Sequence, residues 1–171
     1  QDPAALVALL RAAKADGLDV TVETAGDVPW RAFEAVRPFV DRYLFDLKVV
    51  GDPALHRQLT GRTERRIAAN LRRLTATGAD VQIRMCVVPG CNDTLDNYRA
   101  TADLLHAVGQ DTIELMRAYD VHQAKARSLG VAAPTLDIPP ERSIAALQEA
   151  KQAFEAQGIR VRTTALDHPV Q

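Results

Sequence analysis

Apolar, strand-like runs alternate along this chain with amphipathic helical segments, and this alternation constrains the fold more than any other feature. The runs fall at residues 18–23, 43–48, 81–88, 112–116 and 159–163. Strands joined through helices form right-handed β-α-β units and therefore a parallel sheet. The chain opens with a helical segment at 2–17, where an alternating array normally has a strand first. We therefore predict an α/β fold, a partial (β/α) barrel lacking its first strands, in a single domain spanning 1–171.

Polar motifs follow three consecutive strand-like runs. They are Glu23-Thr24-Ala25-Gly26, Asp46-Leu47-Lys48, and Arg84 with the turn that begins at Val88. The carboxyl ends of parallel strands are where β/α folds bind ligands. The sequence therefore predicts a ligand site built strand by strand at this edge.

Asp46 and Lys48 are two residues apart, so their side chains project to the same side of one strand. Three interpretations stay open. The two side chains could form a simple ion pair, or they could bind a small zwitterion, with Lys48 taking its carboxylate. Alternatively, Lys48 could form a Schiff base, as in an aldolase-like barrel.

Arg84 lies in the middle of an apolar run, where an unpaired charge is expensive to bury. Its partner is predicted to be either Glu114 on the next strand or an anionic ligand group, since the planar guanidinium suits carboxylates. Glu23 also ends an apolar run, and Gly26 after it indicates a turn that needs backbone freedom.

Composition excludes several classes of protein. The formal net charge is −1 and the 21 basic residues are spread along the chain, so nucleic-acid binding is not expected. No apolar run approaches the ~20 residues that span a bilayer. Two cysteines, Cys86 and Cys91, are too few for a disulfide framework or a metal site, and we expect a cytoplasmic protein.

Five segments, in order, resemble the radical S-adenosylmethionine (SAM) enzymes that activate glycyl radical enzymes, the pyruvate formate-lyase activating enzyme and its relatives. The segments are FDLK at 45–48, LHRQLTG at 55–61, NLRRL at 70–74, IRMCVVPGCND at 83–93, and IELM at 113–116 followed by Lys125 and LG at 129–130. Each segment alone is weakly specific. The matching order and spacing together carry the resemblance.

The resemblance implies a (β/α)6 partial barrel that holds a [4Fe-4S] cluster and SAM. Reductive cleavage of SAM gives a 5′-deoxyadenosyl radical, which takes hydrogen from a glycine of the partner enzyme. Asp46, Leu47 and Lys48 would line the SAM site, with Glu23 and Thr24 beside it and Arg84 as a further contact. The implied partners are a glycyl radical enzyme and an electron donor such as flavodoxin or ferredoxin.

The chain also departs from the family pattern. The Cys-x-x-x-Cys-x-x-Cys loop and the Gly-Gly-Glu segment would precede Gln1, so we expect this chain alone to be unable to build the cluster. The family's histidine aligns with Tyr119, and His122 nearby is a possible substitute. Two alternatives remain: a standalone β/α lyase or aldolase using Lys48, and a non-catalytic domain that binds a protein, or itself, through an exposed sheet edge.

Overall fold

The computed structural model describes residues 3–118, 126, 128–131 and 138–163. The helices are α1 (Pro3–Ala15), α2 (Trp30–Val36) with a 3-10 turn at Arg37–Phe39, α3 (Pro53–Thr60), α4 (Arg65–Ala76), α5 (Leu95–Ala107) and α6 (Pro140–Glu155). The strands are β1 (Thr21–Thr24), β2 (Arg42–Leu47), β3 (Val81–Val87), β4 (Thr112–Arg117) and β5 (Arg160–Thr163).

The five strands form one sheet in the order β1-β2-β3-β4-β5, and every neighbouring pair is parallel. The predicted α/β fold of parallel strands with helical crossovers is therefore confirmed. Because sequential strands are also spatial neighbours, the loops that follow β1, β2 and β3 lie side by side at the carboxyl edge of the sheet.

The core lies on one face of this sheet. Alternate side chains of the three central strands pack there against the apolar stripes of α4, α5 and α6. Its largest fully buried members are Tyr43, Phe45, Leu47, Leu71, Leu74, Ile83, Met85, Leu105, Ile113, Leu115, Leu147 and Phe154. The remaining strand side chains, which include Glu23, Asp46 and Arg84, lie on the other face, so the alternation that builds the core also gathers the charged groups.

One predicted element boundary shifts. The first strand begins at Thr21 rather than at residue 18, because the Val20 amide donates to the Asp41 carboxylate at 2.7 Å. Thr94 caps α5 by accepting a hydrogen bond from the Asn97 amide. The helix α4 begins at Arg65, with no side-chain hydrogen bond at its N-terminus.

His56 on α3 is a buried polar residue. Its Nδ1 lies 2.8 Å from the carbonyl oxygen of Arg62 and 3.0 Å from Oγ1 of Thr60. The turn after α3 folds back over the imidazole, a contact that the periodicity of one helix does not reveal.

Candidate functional site

Charged side chains from three adjacent strands meet on the face of the sheet opposite the core. Arg84 on β3 lies directly across from Asp46 on β2. Its Nε donates to Asp46 Oδ1 at 2.9 Å, and its Nη2 contacts Glu23 Oε1 on β1. One guanidinium therefore links the carboxyl ends of β1 and β2. We call Glu23, Arg84, Asp46 and Lys48 the charged cluster.

Arg84 is the most enclosed member of the charged cluster, with a side chain 11% exposed. Burial by itself lowers the pKa of Arg84, but the hydrogen bonds that Arg84 donates to Asp46 and then to Glu23 outweigh this effect and raise the pKa above its ordinary value. Arg84 therefore stays charged and needs its carboxylates. The sequence predicted Glu114 or a ligand as its partner, whereas the contacts described here are with Asp46 and Glu23.

Glu114 faces Arg84 from the other side, as its register partner on β4. One of its carboxylate oxygens accepts a hydrogen bond from Nε2 of Gln82 at 2.5 Å. Polar side chains thus continue across this face from β1 to β4.

Lys48 completes the charged cluster at the end of β2. Its Nζ lies 3.5 Å from Asp46 Oδ2, so the ion pair considered from the sequence is present, although long. The Lys48 side chain is 37% exposed and that of Asp46 is 14% exposed. Lys48 is thus the more exposed partner of a long ion pair at the end of β2.

The neighbouring predicted site residues play different parts. Thr24 uses Oγ1 to accept the Gly26 amide at 3.0 Å, which closes the turn after β1. A Cβ on Gly26 would stand 2.2 Å from Cζ of Phe45, and Gly26 has a φ of 76°, so the turn requires glycine. The Leu47 side chain lies in the core, which leaves only its backbone for a ligand. Tyr119 and His122 lie outside the described residues.

Neither cysteine forms part of a metal site in the described part of the chain, where no group of three or more His, Cys, Asp or Glu side chains could hold an ion. Cys86 lies on the strand next to the charged cluster. Burial raises the pKa of its thiol, the Lys48 ammonium lowers it and the Asp46 carboxylate raises it again. A thiol kept protonated in this way suits a residue packed within a strand.

The sequence did not lead us to predict that asparagines support the site. Asn70, Asn92 and Asn97 are all buried and bond to the backbone where the chain leaves the strands of the charged cluster. The position of Asn70 could have indicated this role. Asparagine disfavours helix interiors, yet Asn70 lies inside the apolar stripe of α4.

Solved structures share this fold. A solved domain of a pyruvate-formate lyase-activating enzyme from Bacteroides vulgatus ATCC 8482 superposes with a TM-score of 0.73 at 19% identity, covering 95% of this chain and 91% of that one. A radical SAM methyltransferase from Sphaerobacter thermophilus superposes with a TM-score of 0.60 at 23% identity, covering 88% and 43%. No family model matches the chain.

The chain is also similar in sequence to curated activating enzymes. The chain is 30% identical over 126 residues to the (2S)-3-sulfopropanediol dehydratase activating enzyme of Klebsiella oxytoca, covering 72% of this chain and 39% of that protein. It is 38% identical over 109 residues to the isethionate sulfite-lyase activating enzyme of Nitratidesulfovibrio vulgaris, covering 63% and 35%. The pyruvate formate-lyase 2-activating enzyme of Escherichia coli is 28% identical over 145 residues, covering 85% and 49%.

The chain is therefore homologous to the activating enzymes of glycyl radical enzymes, and the resemblance predicted from the sequence is confirmed. It spans between about a third and half of the length of these curated relatives.

Proposed function

We propose that this chain is part of a radical SAM oxidoreductase that activates a glycyl radical enzyme. The observation that carries the proposal is its homology to activating enzymes across 72% of its residues. The same relatives support a glycyl radical enzyme as the partner. The proposal also includes a flavodoxin- or ferredoxin-like electron donor, a cytoplasmic setting and self-association through the β1 edge. None of the helices described here has the length and apolar character needed to cross a membrane.

The charged cluster fits the methionyl end of SAM. That end carries a carboxylate and an amine, and the cluster offers an accessible ammonium, two carboxylates and a guanidinium at one edge of the sheet. We assign the ligand carboxylate to Lys48, because Lys48 is loosely paired and exposed. Asp46 and Glu23 would then face cationic or hydroxyl groups, with Arg84 holding both carboxylates in place through hydrogen bonds. Thr24, Leu47, Tyr119 and His122 are proposed to complete the pocket.

The residues of this chain do not fit a [4Fe-4S] cluster. Such clusters are held by three or four thiolates, whereas the chain has two cysteines separated by four residues. We propose that the cluster ligands belong to sequence outside these 171 residues. Together with a cluster held elsewhere, SAM would supply the radical chemistry. The residues described here would bind and orient SAM.

Calorimetric titration of the chain with SAM tests the site. We expect weak binding, and we expect Lys48→Met to weaken it about tenfold, the loss of one charge-assisted contact. Lys151→Met is the matched control, because Lys151 pairs with Glu155 on the surface of α6. Equal affinity in the Lys48→Met variant and the parent would contradict the assignment of the ligand carboxylate.

The proposed activity is tested by sequencing the gene upstream of the Gln1 codon and by assaying the product of the whole gene. A cysteine loop with three correctly spaced thiols, in frame before the Gln1 codon, is expected, and the product should raise a glycyl radical signal in electron paramagnetic resonance on its partner. A stop codon there would contradict the proposal. Borohydride trapping of a carbonyl compound on Lys48 would instead support a Schiff-base lyase, which the homology to activating enzymes does not favour.

A further inference from the structure

The chain contains three asparagines, Asn70, Asn92 and Asn97, and all three are buried. Asn70 opens the NLRRL segment and Asn92 lies near the end of the IRMCVVPGCND segment, and the proposed ligand contacts give neither asparagine a role. Each makes hydrogen bonds to the backbone of a loop that follows a site-bearing strand. This shared pattern connects the two motifs to the site.

Asn70 holds the loop after β1. From the middle of α4 its Nδ2 donates to the carbonyl oxygens of Gly26 at 2.7 Å and Val28 at 2.8 Å. These two carbonyls lie a few residues beyond Glu23. One amide group therefore fixes the direction in which the chain leaves the strand that carries Glu23.

Asn92 holds the end of β2 against the end of β3. Its Nδ2 donates to the carbonyl oxygens of Lys48 and Cys86, both at 2.9 Å, and its Oδ1 accepts the Val88 amide at 2.8 Å. The contact with Lys48 is made by the backbone of the residue whose ammonium faces Asp46. The side-chain amide of Asn92 thus links the site lysine to the neighbouring strand.

Asn97 on α5 supports the same link. Its Oδ1 accepts the Val50 amide at 2.8 Å, and its Nδ2 donates to the carbonyl oxygen of Asn92 at 2.8 Å and, more weakly, to that of Lys48 at 3.4 Å. The Lys48 carbonyl is therefore approached by two asparagines. The loop between β2 and α3 is held on both sides of Val49.

Asparagine suits these positions because its short amide carries donors and an acceptor together. Aspartate has the same shape but no donor, and would set a carboxylate against backbone carbonyls. Buried backbone groups in loops require such partners, since the sheet does not supply them.

We propose that Asn70, Asn92 and Asn97 are positioning residues that set the exits of β1 and β2. By fixing these exits they hold Glu23 and the Asp46–Lys48 pair within reach of Arg84. The consequence for SAM rests on the proposed function, whereas the positioning of Lys48 does not. The two parts can therefore be tested separately.

The lysines of the chain provide the readout. There are four, Lys14, Lys48, Lys125 and Lys151. Reductive methylation with ¹³C-formaldehyde keeps their charge and gives each a resolvable NMR signal. In Asn92→Asp we expect the Lys48 signal to move toward that of a free lysine while Lys14 and Lys151, paired elsewhere with Asp41 and Glu155, keep theirs. Asn97→Asp should shift the Lys48 signal less, because Asn92 still holds the Lys48 carbonyl.

Ser143→Ala is the matched control. It removes a buried side-chain hydrogen bond to a backbone carbonyl, from Ser143 Oγ to Ala118 at 2.8 Å, on another helix. This variant should lose stability without moving the Lys48 signal, which separates positioning from a purely structural contribution. An unchanged Lys48 signal in a folded Asn92→Asp variant would overturn the proposal.

One further measurement does not depend on how that variant folds. In the unmodified chain the Val50 and Val88 amides, which donate to Asn97 and Asn92, should exchange with deuterium as slowly as amides of the central strands. Exchange at the rate of an open loop would overturn the proposal. If SAM fails to bind the parent chain while the Lys48 signal shifts in Asn92→Asp, the proposed function fails and the positioning role stands.

Discussion

Replacing Arg84 with methionine tests whether the charged cluster depends on its buried cation. The substitution keeps an unbranched side chain of similar reach and removes the guanidinium that contacts Asp46 at 2.9 Å. Asp46, 14% exposed, would keep only the Lys48 ammonium at 3.5 Å. Removing one partner of a buried ion pair costs about 3–5 kcal/mol. Because Asp46 has some exposure and retains Lys48, we expect a loss of roughly 2–3 kcal/mol from the free energy of unfolding.

Urea unfolding followed by the fluorescence of Trp30, the one tryptophan, measures this loss. For a chain of this length the expected loss corresponds to a fall in Tm of about 4–12 °C. Glu23→Gln is the comparison, because the Glu23 side chain is 64% exposed and its pair with Arg84 should contribute less than about 1 kcal/mol.

A double variant separates charge burial from packing. If the cost of Arg84→Met comes from a stranded Asp46 carboxylate, adding Asp46→Asn should recover part of the stability. If it comes from lost side-chain packing, the second substitution should add its own cost. A double variant less stable than Arg84→Met alone, or a single variant within about 0.5 kcal/mol of the parent, would refute the electrostatic reasoning.

Three further substitutions probe the surroundings of the charged cluster. Gly26→Ala should cost about 2–4 kcal/mol in unfolding free energy, because a new Cβ meets the Phe45 ring. Gly78 has a similar φ but open space around it, so Gly78→Ala should cost only about 1–2 kcal/mol. Equal losses of the two variants in urea titrations would contradict the contact with Phe45. Tyr43→Phe should leave Tm unchanged or raise it, because the buried hydroxyl finds no hydrogen-bond partner in the described part of the chain, and a clear fall in Tm would reveal a partner. In a Cys91→Ser variant, Cys86 should react with maleimide more slowly than free cysteine at pH 8, because burial raises the pKa of the thiol and leaves less thiolate. The reaction rate should increase at higher pH. A rate equal to that of free cysteine at pH 8 would contradict the burial of Cys86.

The fold could be predicted from the sequence because hydrophobic periodicity and turn residues agree along most of the chain. The alternation in Val81–Val87 fixes which side chains of β3 face the helices, and with it the face on which Arg84 lies. The first strand was predicted too long because the Asp41 side chain, distant in sequence, takes the Val20 amide that a longer ladder would use. Such a competing bond becomes visible only when β1 and the turn before β2 are brought together.

The partner of Arg84 illustrates what sequence patterns leave open. Asp46 and Glu114 both lie opposite Arg84 in the register of the sheet, one on each side. Periodicity gives the face and the motif gives the residue types, but neither says toward which neighbouring strand the guanidinium turns. The structure shows it turned toward β1 and β2, where one cation meets two carboxylates while Gln82 donates to Glu114. Asp46 accepts from Arg84 through Oδ1 and meets Lys48 only at 3.5 Å through Oδ2, and such a long, partly exposed pair is what the proposed binding of a ligand carboxylate to Lys48 requires.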